Sequence, residues 1–145
     1  MRKFQQIIII HFLLLIIAAC ASDPSRWVYT YPGATLPNDQ VAVLKFYFWL
    51  PGQEIAIDGI SYTPKHEREM VHFSLMPGMH EIYFVTHSRN VGKFDGDCNI
   101  ELKAGNIYYL TGQTVIKGSF LHPEYYPSAV IYNRTTKEKT YCWDI

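Results

Sequence analysis

Charge is scarce in this chain and nowhere concentrated. Its 13 basic and 13 acidic side chains cancel over 145 residues, and no basic run or stripe is present. Binding to a phosphate backbone needs such a stripe, so nucleic acid is not expected as a partner. The same lack leaves polybasic attraction to anionic lipid without support. Cysteine is equally sparse: Cys20, Cys98 and Cys142, with no Cys-x-x-Cys spacing, which speaks against a redox-active pair. Helical periodicity is poor from Val41 onward.

Motifs for chemistry are missing as well. His66-Glu67 and His80-Glu81 each begin like the zinc-protease helix motif, but Met70 and Phe84 stand where the second histidine belongs. Asp95, Asp97 and Asn99 imitate a calcium loop until Ile100 and Asn106 replace its glycine and its bidentate glutamate. No Gly-x-Ser-x-Gly elbow and no phosphate-cradling glycine loop occurs. The carboxylates Asp58, Glu67, Glu69, Glu81 and Glu101 are scattered, and Asn133-Arg134-Thr135 is a coincidental glycosylation sequon. No catalytic residue, metal or cofactor is expected, and the protein is read as non-enzymatic.

What is present begins at the first residue. Met-Arg-Lys leads into "IIIIHFLLLIIAA", the positive and apolar regions of a secretory signal. A spanning helix needs roughly 20 apolar residues, and this run is shorter and interrupted by His11. Ile17-Ala18-Ala19-Cys20 resembles the lipobox of bacterial lipoproteins, which are cut before the cysteine and lipid-modified on it. The resemblance implies acylation at Cys20, with palmitate-type chains as the anchor. Ala21 and Ser22 in place of an aspartate imply the outer membrane, with the domain facing the periplasm. One acyl chain binds marginally, whereas two or three hold firmly. Removal of Arg2 and Lys3 turns the balanced charge slightly negative.

Residues 20–40 then read as a lipidated start and linker, broken by Pro24, Pro32, Gly33 and Pro37. Within it "RWVYTY" alternates, which suits either a short edge strand or a place at the lipid interface. The remainder, 41–145, has period two. "VAVLKFYFWL" puts Ala42, Leu44, Phe46 and Phe48 on one face, and Val43, Lys45, Tyr47 and Trp49 on the other. Asp58-Gly59, Pro77-Gly78 and Ala104-Gly105 separate further strands, and "SAVIYNRTTKEKTYCW" closes as a hairpin turning at Lys137, Glu138 and Lys139. "KGSFLHPEYYP" reads as an irregular and unusually apolar loop. Short strands between turn signals predict a single small antiparallel β-sandwich, all-β.

Cys98 and Cys142 are expected to form a disulfide in an exported protein, the alternative being two buried thiols that never meet. The outward-pointing aromatics Tyr47, Trp49, Tyr83 and Tyr109, with Phe120, Tyr125 and Tyr126, form the candidate interaction surface. The alternative is that a second layer or "SFLHPEYYP" covers them. A two-residue loop at Pro77-Gly78 would pair Leu75 with His80 and Phe73 with Ile82, placing His72 on the other face beside Tyr83. His80 is then expected to cap the end of the core, hydrogen-bonded to a loop.

"IAIDGISY", "LMPGMHEIYF" and "LKAGNIYYL" together resemble the small β-domains of the PEGA type found in single-domain lipoproteins of Gram-negative bacteria. The resemblance covers about residues 41 to 112 and rests on turns and alternation; "TPKHERE" and the aromatic first strand depart from it. It implies an Ig-like or transthyretin-like sandwich in an accessory envelope role, with no catalytic residue to carry over. The expected function is a lipid-anchored module that binds an envelope protein or polymer. The rival is a periplasmic ligand- or metal-binding domain, catalytic in one version, using His66, His72, His87 and nearby carboxylates.

Overall fold

A computed structural model describes residues 25–66, 68–88 and 91–142. The expected signal peptide, Cys20 and Glu67 lie outside the described residues. Ten strands build two sheets: β1 Ser25–Tyr29, β2 Ala42–Phe48, β3 Glu54–Ile57, β4 Ile60–Tyr62, β5 Glu69–Leu75, β6 Gly78–Ser88, β7 Gly92–Leu102, β8 Ile107–Ser119, β9 His122–Asn133 and β10 Lys139–Tyr141. The six-stranded sheet runs β1-β5-β2-β8-β9-β10, and the four-stranded sheet runs β4-β3-β6-β7. Pairing is antiparallel except for β1 with β5 and β2 with β8. The architecture is all-β and sandwich-like.

Alternation builds the core. Leu44, Phe46, Val71, Phe73 and Leu110 of the larger sheet meet Ile55, Ile57, Ile82 and Phe84 of the smaller one, all of them buried. Phe46 and Phe48 pack edge to face at 4.7 Å, and Phe73 meets Tyr62 of β4 at 4.9 Å. Such ring pairs add to the area they bury.

Two Xaa-Gly turns have opposite outcomes. Asp58 and Gly59 both have positive φ, 51° and 78°, the type I′ geometry whose twist matches a hairpin, and β3 and β4 pair directly across it. Pro77 cannot take positive φ, so Pro77-Gly78 does not make that turn. The chain instead crosses between sheets. Leu75 pairs with Ala42 and His80 with Ile100, which corrects the expected Leu75–His80 and Phe73–Ile82 pairing. Ala104-Gly105 likewise carries the chain back, from β7 to β8, and Gly105 donates its amide to the Val41 carbonyl at 2.8 Å.

Both flanks of the sandwich are fastened. Cys98 of β7 and Cys142, just after β10, stand at disulfide distance with Cα atoms 4.6 Å apart. On the other flank Arg26 of β1 donates to the Thr63 carbonyl at 3.1 Å and lies 3.2 Å from the carboxylate of Glu69, which is 1% exposed. The Arg26 Nε–H is not aligned on that oxygen, so this contact is an ion pair rather than a second hydrogen bond. Lys65 donates its amide to the same carboxylate at 2.7 Å.

Two stretches take definite form. "RWVYTY" takes the edge-strand alternative and supplies β1, paired in parallel with β5, so strand pairing begins at Ser25, within the stretch read as linker. "KGSFLHPEYYP" is not irregular: β8 and β9 stay paired from Tyr108–Asn133 out to Ser119–His122. They form a finger whose tip is Phe120-Leu121. Thr114 still reaches the body, donating to Ser88 at 2.9 Å, and beyond it the finger is largely exposed. Gly118 has φ 88°, and a Cβ there would sit 2.5 Å from the His122 carbonyl oxygen, so the tip requires glycine.

Candidate functional site

Directly opposed residues in paired strands share a face, so register shows what each outer surface carries. On the six-stranded sheet one row crosses every strand: Trp27, His72, Lys45, Tyr109, Tyr132 and Lys139 are successive partners. Six strands at about 4.8 Å spacing make this row about 24 Å long. Tyr29, Met70, Tyr47, Ile107 and Tyr141 flank it on the same face. The outward strand residues here, as far along β8 as Gln113, include no carboxylate.

The row is knit together. Trp27 and His72 meet edge to face at 4.8 Å, and the Lys45 ammonium lies 5.3 Å from the Tyr109 ring centre. Arg134 donates to the Tyr109 hydroxyl at 3.3 Å. Burial, followed by the charge of Lys45, pushes the His72 imidazole below its ordinary 6.5 and favours its neutral form. For Tyr109 burial acts upward, but the Arg134 hydrogen bond and the Lys45 charge outweigh it and leave the phenol below its usual range.

The four-stranded sheet presents the opposite character. Its outward positions include Glu54, Glu81, Asp95, Asp97 and Glu101 around Tyr83. Slight desolvation, then Asp95 and Glu54, raise the Tyr83 phenol. One outer face is thus aromatic and cationic, and the other is acidic.

The candidate surface residues divide accordingly. Tyr47 and Tyr109 lie on the six-stranded face, Tyr83 on the acidic face, and Phe120, Tyr125 and Tyr126 on the finger. The expected placement of His72 beside Tyr83 is therefore corrected: they belong to different sheets, because β5 and β6 do not pair. Trp49, 50% exposed, stands at the end of the sandwich, where it lines a cleft of about 400 Å³ with Leu50, Pro64, Lys65, His66 and Arg68. The finger does not cover the six-stranded face; it continues it.

The histidines do not converge. His66 lines that cleft, His72 is in the cross-strand row, and His87 faces outward on the four-stranded sheet opposite Lys93. Among the described residues no group of three His, Cys, Asp or Glu side chains is placed to hold a metal. His80 is at the far end of the sandwich, where Nδ1 meets Asp58 and Nε2 meets the Met76 carbonyl, each at 2.7 Å. Asp58 also accepts the Glu81 amide at 3.1 Å, so His80 ties the β3–β4 turn to the sheet crossover and closes that end of the core.

Sequence reasoning missed Trp27, Lys45, Tyr132 and Lys139 as members of one row. Alternation placed Lys45 outward, but which residues join it in a row across five strand boundaries is a tertiary matter. No family model, curated protein or solved structure matches the chain.

Proposed function

We propose that the protein is a non-enzymatic, lipid-anchored envelope protein that binds an acidic polymer strand along its six-stranded face. The observation carrying this is the carboxylate-free row from Trp27 to Lys139, set against the acidic face opposite. Aromatic rings receive the apolar faces of polymer units, while Lys45, Lys139 and Arg134 receive their anionic groups. A row of about 24 Å suits a chain rather than a single small molecule. The like charge of the four-stranded sheet turns such a polymer away, so binding is one-sided. The anchor at Cys20 and its outer-membrane address rest on the sequence, as does kinship with the PEGA-type domains in an Ig-like or transthyretin-like arrangement.

Cosedimentation of the protein with purified peptidoglycan, and with neutral dextran-coated beads as the uncharged control, tests this. Binding to the acidic polymer alone is expected, weakened at least tenfold by Trp27→Ala with Tyr109→Ala. Equal binding by that variant, or equal binding to dextran, overturns the assignment.

A further inference from the structure

The finger and the chain's entry into the fold lie at one end of the sandwich. Ser25 opens β1 opposite Met70, and Met70 is opposite Tyr47 in β2. β2 runs parallel to β8 with Phe46 beside Leu110, which puts Ser25 level with Thr111. Past that level β8 continues through residues 112–119, touching the body as far as Thr114 and projecting beyond it. At about 3.3 Å per residue those eight residues extend about 26 Å. The five residue steps from Cys20 to Ser25 span at most about 18 Å. The finger is longer than the leash. A surface that holds Cys20 therefore lies within reach of the tip.

The tip has the chemistry for that surface. Phe120 is 98% exposed and Leu121 80% exposed, a pair of large apolar side chains with nothing of this chain upon them. Behind them Ile116 faces Tyr125 across the hairpin, and the Lys117 ammonium lies 5.5 Å from the Tyr126 ring centre. Apolar tip, tyrosines next and a lysine beside them is the order that a membrane interface favours. Pro123 and Pro127 remove amide donors from β9 where β10 no longer covers it, so this stretch is a poor template for strand addition by a protein partner.

We infer that the β8–β9 finger is a second membrane contact, inserting Phe120 and Leu121 into the lipid surface to which Cys20 is tethered. This rests on the lipid-anchor reading above. The two contacts at one end stand the sandwich upright, with the polymer-binding face turned sideways and free.

A photoreactive benzophenone side chain replacing Phe120, in the full-length gene expressed in cells, reads out what the tip touches. Lipid adducts are expected at 120. They should fall at least tenfold when Leu121→Asp charges the tip, and also when Gly118→Ala disturbs the turn. The same probe replacing Met79, exposed at the far end, should give none. Retention of the Cys98–Cys142 link in each variant shows that the body still folds. A discrete protein adduct at 120 without lipid adducts overturns the inference in favour of a protein partner. Mass analysis of the mature N-terminus separates the two ideas. An acylated Cys20 with no lipid adduct at 120 defeats the finger alone, and an unmodified Cys20 defeats both.

Discussion

Removing the Cys98–Cys142 link perturbs the unfolded chain more than the folded one. The two residues are 44 apart in sequence, so the link closes a long loop that the unfolded state must otherwise explore. In the chain-entropy treatment a loop of that length lowers the unfolded state's entropy by about 13 cal/mol/K, or about 4 kcal/mol at 25 °C. A domain of this size unfolds with an entropy of about 250 cal/mol/K, so the melting temperature should drop by about 15 °C. Cys98→Ala with Cys142→Ala is the suitable variant, since alanine leaves no unpartnered hydroxyl at the buried position 98. Urea unfolding at several probe wavelengths gives the free energy, and the slope should rise as the unlinked chain expands. The loss also has a place. β10 is three residues long and, beyond its pairing with β9, is secured by the link and by the Cys142 amide donating to the Ala129 carbonyl at 3.0 Å. Amide exchange at Lys139–Tyr141 should therefore accelerate before any core strand does. A reduced protein within about 1 kcal/mol of the oxidised one, with β10 still protected, would refute the idea that this link clamps the flank.

Two further outcomes follow from buried charge. Arg26→Ala strips Glu69, 1% exposed, of its cation and should cost about 3 kcal/mol in a urea titration. Adding Glu69→Met should restore most of that loss; a double variant as weak as the single one would show that the cost lies in packing. His72, held below 6.5 by burial and then by Lys45, binds its proton less readily folded than unfolded. Below about pH 6.5 the unfolded state takes up more protons, so stability declines as pH falls from about 7 through the folded pKa. His72→Gln should flatten that decline in the urea midpoint, and an unchanged pH profile would remove His72 from the account.

Local features of this fold were legible in the residues, and partner choice was not. Alternation alone placed Ala42, Leu44, Phe46 and Phe48 inward, all four within 1% of full burial. Asp58-Gly59 announced its turn because positive φ at both positions is readily adopted by those two residues. Pro77-Gly78 looked similar but depends on where β5 and β6 find their neighbours, and those lie in different sheets. The parallel pairing of β2 with β8 joins strands about sixty residues apart, with nothing local to signal it. "KGSFLHPEYYP" broke the alternation and so read as a loop, yet it pairs as strand, and its Pro123 and Pro127 occur where β9 has an uncovered edge. The aromatic row fell outside sequence reasoning for the same reason: each member's direction is local, but adjacency is set by register.

The opposition of the two outer faces also bears on copies held together in one plane. If the proposed anchor and finger hold the entry ends down, neighbouring molecules meet sideways, and such lateral encounters include those of sheet face with sheet face. Two acidic faces repel, and so do two cationic ones; an acidic face meeting a cationic one attracts. Crowding on a surface would thus favour rows of molecules all turned the same way, an order imposed by charge placement with no dedicated contact residue, and one that added salt would dissolve.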